Sequence, residues 1–92
     1  MEKAIVGKIV RILKRHGITR AAVFGSFARG EGKKGSDIDL VIEPPDKFTL
    51  FDAVRMKGEL EDSLEKEVDI ITFDSISPHL KAYITRDMKV II

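Results

Sequence analysis

Apolar positions in the first seventeen residues recur at helical spacing. Ile5, Ile9, Ile12 and Leu13 share one side of a 3.6-residue period, and His16-Gly17 supplies a cation-capable last turn followed by a glycine stop. The pattern then changes period. Ala21-Ala22-Val23-Phe24 is a continuous apolar run that predicts a short buried strand broken by Gly25, with Ser26 expected to cap a brief helix through about Arg29. From Ser36 to Ile42 the chain alternates: Ile38, Leu40 and Ile42 point one way, Asp37, Asp39 and Val41 the other, so this strand has a dry face and a face bearing acids.

Pro44-Pro45 ends that strand, and Thr49 with Asp52 forms a capping-box pattern before a helix expected to carry Leu50, Ala53, Met56, Leu60 and Leu64 on one side. A third strand is predicted over Val68 to Phe73, β-branched and apolar apart from Asp69. Ser77-Pro78 then looks like the cap and first position of a helix with Leu80, Tyr83 and Ile84 inward, and Val90-Ile91-Ile92 adds a short edge strand. Without a repeat, linker or low-complexity segment, the order αβαβαβα predicts one α/β unit over residues 1–92, with helices covering the apolar side of a sheet.

A chain of 92 residues suffices for one core but not for a catalytic domain plus a separate substrate domain, so any large substrate must be recognised partly by something else. No apolar run approaches the roughly 20 residues needed to cross a bilayer, and the N-terminus lacks the apolar core of a secretion signal, so a soluble, cytoplasmic protein is expected, with no membrane partner. There is no cysteine, which excludes disulfides and thiolate metal sites. Asparagine and glutamine are also absent while charged residues reach 34%, the bias expected of a thermophile.

The net charge of +1 conceals an asymmetry: residues 1–36 carry nine Lys/Arg against two Glu, residues 37–92 seven against thirteen acids. Lys8, Arg11 and Arg15 share a face of the first helix that could meet nucleic acid or an acidic partner, but a solvated face offsetting the acidic second half is the expected role, and nucleic acid is not the expected partner.

Chemistry concentrates between Gly25 and Leu40. Residues two apart in a strand project from one face about 7 Å apart at Cα, which lets Asp37 and Asp39 converge on a small cation. Two carboxylates at that separation repel by about 2 kcal/mol at an effective dielectric near 20, and Asp69 in the next strand would add to the cost. Clustering the three makes sense if metal neutralises them, and all-oxygen donors favour Mg²⁺, with Mn²⁺ able to substitute. Gly25 lets backbone approach phosphate, Ser26 can offer hydroxyl and amide donors, and Arg29, Lys33 and Lys34 are candidates to balance phosphate charge. With a nucleoside triphosphate bound, one ion could be shared by Asp37, Asp39 and the phosphates, and a second, held also by Asp69, could polarise an attacking hydroxyl, which implies nucleotidyl transfer.

Two decoys fall away. Gly30 to Gly35 fits G-x-G-x-x-G literally but leads into a strand rather than a helix, and Gly25 and Gly30 have P-loop separation but are followed by Glu31. His16 and His79 are assigned no role, Tyr83 is expected to be core or half-buried, and of two phenylalanines that could stack on a base, Phe51 is expected to pack and Phe48 to lie in a loop.

Gly25-Ser26, ten intervening residues, Asp37-Ile38-Asp39 and the later Asp69 resemble the signature of the DNA polymerase beta nucleotidyltransferase superfamily, most closely its minimal, stand-alone prokaryotic members; Ala28-Arg29-Gly30 and Ser36-Asp37-Ile38-Asp39-Leu40 fit it too. The resemblance implies an α+β nucleotidyltransferase fold with a mixed, palm-like sheet, Gly25 and Ser26 at nucleotide phosphate, Asp37 and Asp39 on metal, and Asp69 as the third carboxylate promoting attack. It further implies ATP as substrate and, as partner, a small helical HEPN toxin that an antitoxin of this kind modifies with AMP on a tyrosine. A catalytically silent antitoxin acting by binding alone, and transfer to a small hydroxylated molecule, are the competing functions.

Overall fold

A computed structural model describes residues 2–30 and 37–92. Helix α1 (Lys3–Arg15) leads into strand β1 (Ala21–Phe24), a single-turn helix α2 (Gly25–Ala28), strand β2 (Ile38–Ile42), helix α3 (Leu50–Leu64), strand β3 (Val68–Thr72), a 3₁₀ turn (Phe73–Ser75), helix α4 (Pro78–Asp87) and the two-residue strand β4 (Lys89–Val90). The four strands form one mixed sheet in the order β3-β2-β1-β4. β1 pairs antiparallel with β2 and β4, whereas β2 and β3 run parallel, joined by the α3 crossover.

Alternation explains the core. Ala21 and Val23 of β1, Ile38, Leu40 and Ile42 of β2 and Val68 of β3 bury one face against Ile9, Ile12 and Leu13 of α1 and Met56, Leu60 and Leu64 of α3. Each fully buried Val, Leu, Ile or Met among them contributes about 1.5–3 kcal/mol through apolar area removed from water. The opposite face holds Asp39 and Asp69, with Ala22 and Val41 also buried on their strands.

The predicted helix ends match in kind. α1 is capped by His16, and Gly17 adopts φ +80°, the left-handed conformation that glycine tolerates. At the α3 entrance Thr49 Oγ1 accepts from the Asp52 N–H at 3.2 Å while the Asp52 carboxylate accepts from the Thr49 N–H at 2.9 Å, a complete capping box.

Four expectations need correction. Ser26 does not cap α2: Phe24 occupies the N-cap, the helix begins at Gly25, and no side chain closes its end. Leu50 is 79% and Phe51 83% exposed, because the first turn of α3 extends beyond the core cluster that Met56 and Leu60 complete, and Phe48 is the aromatic that packs against that cluster. On α4 only Ile84 is buried; Leu80 and Tyr83 are about half exposed. Finally, β2 begins at Ile38, with Asp37 just ahead of it, and β3 ends at Thr72 rather than Phe73.

α3 also closes part of the open β3 edge. In a parallel ladder alternate residues turn their backbone groups away from the partner; Glu67 faces β2, accepting from the Ile38 N–H at 2.9 Å, so Val68 faces outward. Its N–H donates to Glu61 Oε2 at 3.0 Å and its carbonyl accepts from Lys57 Nζ, while Lys57 and Glu61 pair with each other at 3.0 Å. Two helical side chains thereby occupy an edge that could otherwise recruit another strand.

Candidate functional site

The sheet register gathers the sequence-predicted acids. Asp39 and Asp69 are directly opposed across the parallel β2–β3 pair, and Asp37 precedes Asp39 by two residues at the same end. Asp39 is partly buried whereas Asp37 and Asp69 are exposed. Burial, then the negative charges of Asp69 and Asp37, raise the Asp39 carboxyl above its ordinary value. Among the described residues none of the three is paired with a lysine or arginine.

Gly25 completes one wall. It ends β1, beside the position where Phe24 is paired with Asp39, and turns the chain at φ +74°. A Cβ on residue 25 would lie 2.5 Å from Asp39 Oδ2, so the carboxylate occupies the space that any larger residue would fill. Ser26 follows, partly exposed, in the first turn of α2.

Arg29 closes that turn. Its N–H donates to the Gly25 carbonyl at 3.2 Å, and its guanidinium donates to Asp87 Oδ2 at 3.0 Å, reaching from the end of α2 to the last residue of α4. The other loop cations, Lys33 and Lys34, lie outside the described residues. Asp87 is a residue that the hydrophobic pattern does not single out. Its one sequence signal is an acid at a helix C-terminus, where the dipole favours cations.

Asp69 also lines a groove of about 550 Å³ that runs between β3 and the first half of α3 and is walled mainly by apolar groups including Phe48, Leu50, Val54 and Ile70. The basic face of α1 lies elsewhere: Lys8, Arg11 and Arg15 share a groove of about 430 Å³ with Glu59 and Asp62 of α3. Glu59 accepts from Arg15 at 3.1 Å and pairs with His16 at 3.2 Å, and its carboxyl is held below its ordinary value first by the His16 hydrogen bond.

The donor set fits a hard divalent cation in kind: oxygen ligands only, Asp39 and Asp69 on adjacent strands with Asp37 just ahead of the first, and the charges of Asp37 and Asp69 repelling that of Asp39. It is an open arrangement, since no three His, Asp or Glu side chains among the described residues are gathered closely enough to hold an ion. A cation would have to draw the carboxylates together.

Residues 6–91 match the family model for the nucleotidyltransferase domain. The chain belongs to the nucleotidyltransferase family. This nucleotidyltransferase is 53% identical over 74 residues to the Methanocaldococcus jannaschii protein named "Putative protein adenylyltransferase MJ0435", covering 80% of each chain. A solved structure described as a "putative minimal nucleotidyltransferase" superposes with a TM-score of 0.80 at 36% identity, covering 95% of this chain and 89% of that one. The fold also matches, with a TM-score of 0.76 at 20% identity over 100% of this chain and 72% of the other, a chain from the complex of tri-AMPylated Shewanella oneidensis HEPN toxin with MNT antitoxin. The mixed sheet is the one expected for a member of this family. Among the described residues no helix is long and apolar enough to cross a membrane.

Proposed function

We propose that this minimal nucleotidyltransferase transfers AMP from ATP to a tyrosine hydroxyl of a HEPN-family partner protein and thereby acts as an antitoxin. The observation that carries the reading is the packing of Gly25 against Asp39, with Asp69 in register beside it, which supports a phosphate-binding backbone next to paired carboxylates. The relatives' names, protein adenylyltransferase and MNT antitoxin with an AMPylated toxin, support the class of acceptor.

In this reading the backbone at Gly25 and Ser26 receives the phosphate oxygens, and Arg29 offsets their charge. Asp37, Asp39 and Asp69 would hold Mg²⁺, which supplies charge neutralisation and polarisation of the phosphate when bound. The phenolic oxygen of the acceptor forms a bond to the α-phosphorus, the bond from that phosphorus to the pyrophosphate oxygen breaks, and the phenolic proton is released. Asp69 is among the residues lining the apolar groove, which in this reading offers a surface to the acceptor protein.

The reading is tested by incubating the purified chain and a HEPN-family protein encoded beside it with Mg²⁺ and ATP labelled at either the α- or the γ-phosphorus. Label on the partner from α-labelled ATP alone, lost when the partner's tyrosine is changed to phenylalanine, is the expected result. Label from the γ position would show phosphoryl transfer instead. Labelling of neither kind, by a chain that binds ATP, would reject protein modification.

A further inference from the structure

We propose that Glu61 and Lys57 are positioning residues for Asp69: they bracket the Val68 backbone from α3 and hold the start of β3 so that Asp69 stays opposite Asp39. This inference rests on the nucleotidyl-transfer reading above, in which Asp69 is one of the working acids.

Among the described residues β3 is an edge strand paired with β2 alone, and it begins at Val68, so Asp69 is only its second residue. Strand ends of this kind fray most readily. Charge adds to the tendency, because ionised Asp69 opposes Asp39 directly across the pair. The ladder restrains this end from one side: Glu67 accepts from the Ile38 N–H at 2.9 Å, and by the alternation of a parallel ladder Asp69 also turns its backbone toward β2. Val68, between them, faces α3.

There both of its backbone groups are engaged. Glu61 Oε2 accepts from the Val68 N–H at 3.0 Å, and Lys57 Nζ donates to the Val68 carbonyl. That carbonyl belongs to the planar peptide unit shared with Asp69, so the restraint passes directly to the Asp69 backbone. The two side chains are also tied to each other at 3.0 Å, which closes the clamp.

Local helix energetics do not account for the pair. Lys before Glu is the weaker order at i,i+4 spacing, and Glu61 stands in the last turn of α3, where the dipole disfavours a carboxylate. What the arrangement gains is the hold on Val68.

The test compares wild type, Glu61→Ala, Glu61→Gln, Lys57→Met and Lys57→Arg well below their melting temperatures. Three quantities are measured: kcat for AMP transfer from ATP to a HEPN-family protein with Mg²⁺, Kd for ATP, and amide hydrogen exchange at Asp69 and Leu40 in the metal-free protein. Glu61→Ala and Lys57→Met each remove one bond to Val68, and are expected to lower kcat about tenfold, leave Kd within about twofold, and speed exchange at Asp69 about tenfold relative to Leu40. Glu61→Gln and Lys57→Arg keep an acceptor and a donor, and are expected to stay within about threefold of wild type in kcat even where they melt lower. Exchange that rises equally at Asp69 and Leu40, with kcat following melting temperature in all four variants, would overturn the proposal, as would an unchanged kcat in Glu61→Ala. If wild type binds ATP yet transfers no AMP, the nucleotidyl-transfer reading fails and this inference with it; if wild type transfers AMP and Glu61→Ala matches it, only the inference fails.

Discussion

Gly25 and Asp39 are packed so closely that a Cβ on the glycine would lie 2.5 Å from Asp39 Oδ2. Gly25→Ala must therefore displace the carboxylate while also straining a backbone at φ +74°. The expected outcome is a loss of activity of at least about a hundredfold with a stability cost of about 1–2 kcal/mol, read by kinetics and denaturant unfolding side by side. Near-normal activity in a folded Gly25→Ala protein would mean that this contact does not shape the site.

Asp39→Asn separates chemistry from stability. The carboxyl of Asp39 is raised by burial and by Asp69 and Asp37, so at neutral pH its ionised form weakens the metal-free fold. The variant is expected to be inactive yet to melt above wild type in EDTA, and to lose the Mg²⁺-dependent stabilisation that wild type gains in the presence of nucleotide. Differential scanning calorimetry with and without Mg²⁺ decides; a lower melting temperature in EDTA would contradict the repulsion argument.

Glu61 behaves with the opposite sign. The Val68 N–H, then Lys57, hold its carboxyl below the ordinary value, so its contribution is complete above the unfolded carboxylate range near pH 4 and is lost as pH falls through the lowered folded value. Glu61→Gln should lower the melting temperature at pH 7, and its difference from wild type should shrink toward pH 3. A difference that grows on acidification would refute the assignment.

The two phenylalanines near α3 make unequal contributions. Phe51→Ser should change stability by no more than about 0.5 kcal/mol, since the ring is 83% exposed, whereas Phe48→Ala should cost about 2 kcal/mol for packing lost against the core. Urea unfolding of both variants would expose a reversed order at once.

Much of this was legible in the sequence, for identifiable reasons. Leu40 and Asp39 fall on opposite faces because strand geometry has period two, and Thr49 and Asp52 announce a helix start because their side chains can satisfy its free amides. The site acids were legible as types, Asp39 and Asp69 in strands and Asp37 just ahead of one, but the proximity of Asp39 to Asp69 depends on β2 and β3 pairing in parallel at one register, a tertiary fact. For the same reason periodicity misplaces Leu50, Leu80 and Tyr83: it fixes a helix face but not how far the sheet extends beneath it. The Arg29–Asp87 pair joins residues 58 apart and has no local pattern at all.

The central claim is that this carboxylate cluster drives AMP transfer to a protein. Its most direct test is the intact mass of a HEPN-family protein, supplied as the proposed acceptor, after incubation with the enzyme, ATP and Mg²⁺. A gain of one or more AMP units with wild type and none with Asp39→Asn is the predicted result. An unchanged partner mass, under conditions where wild-type enzyme binds ATP, would contradict it.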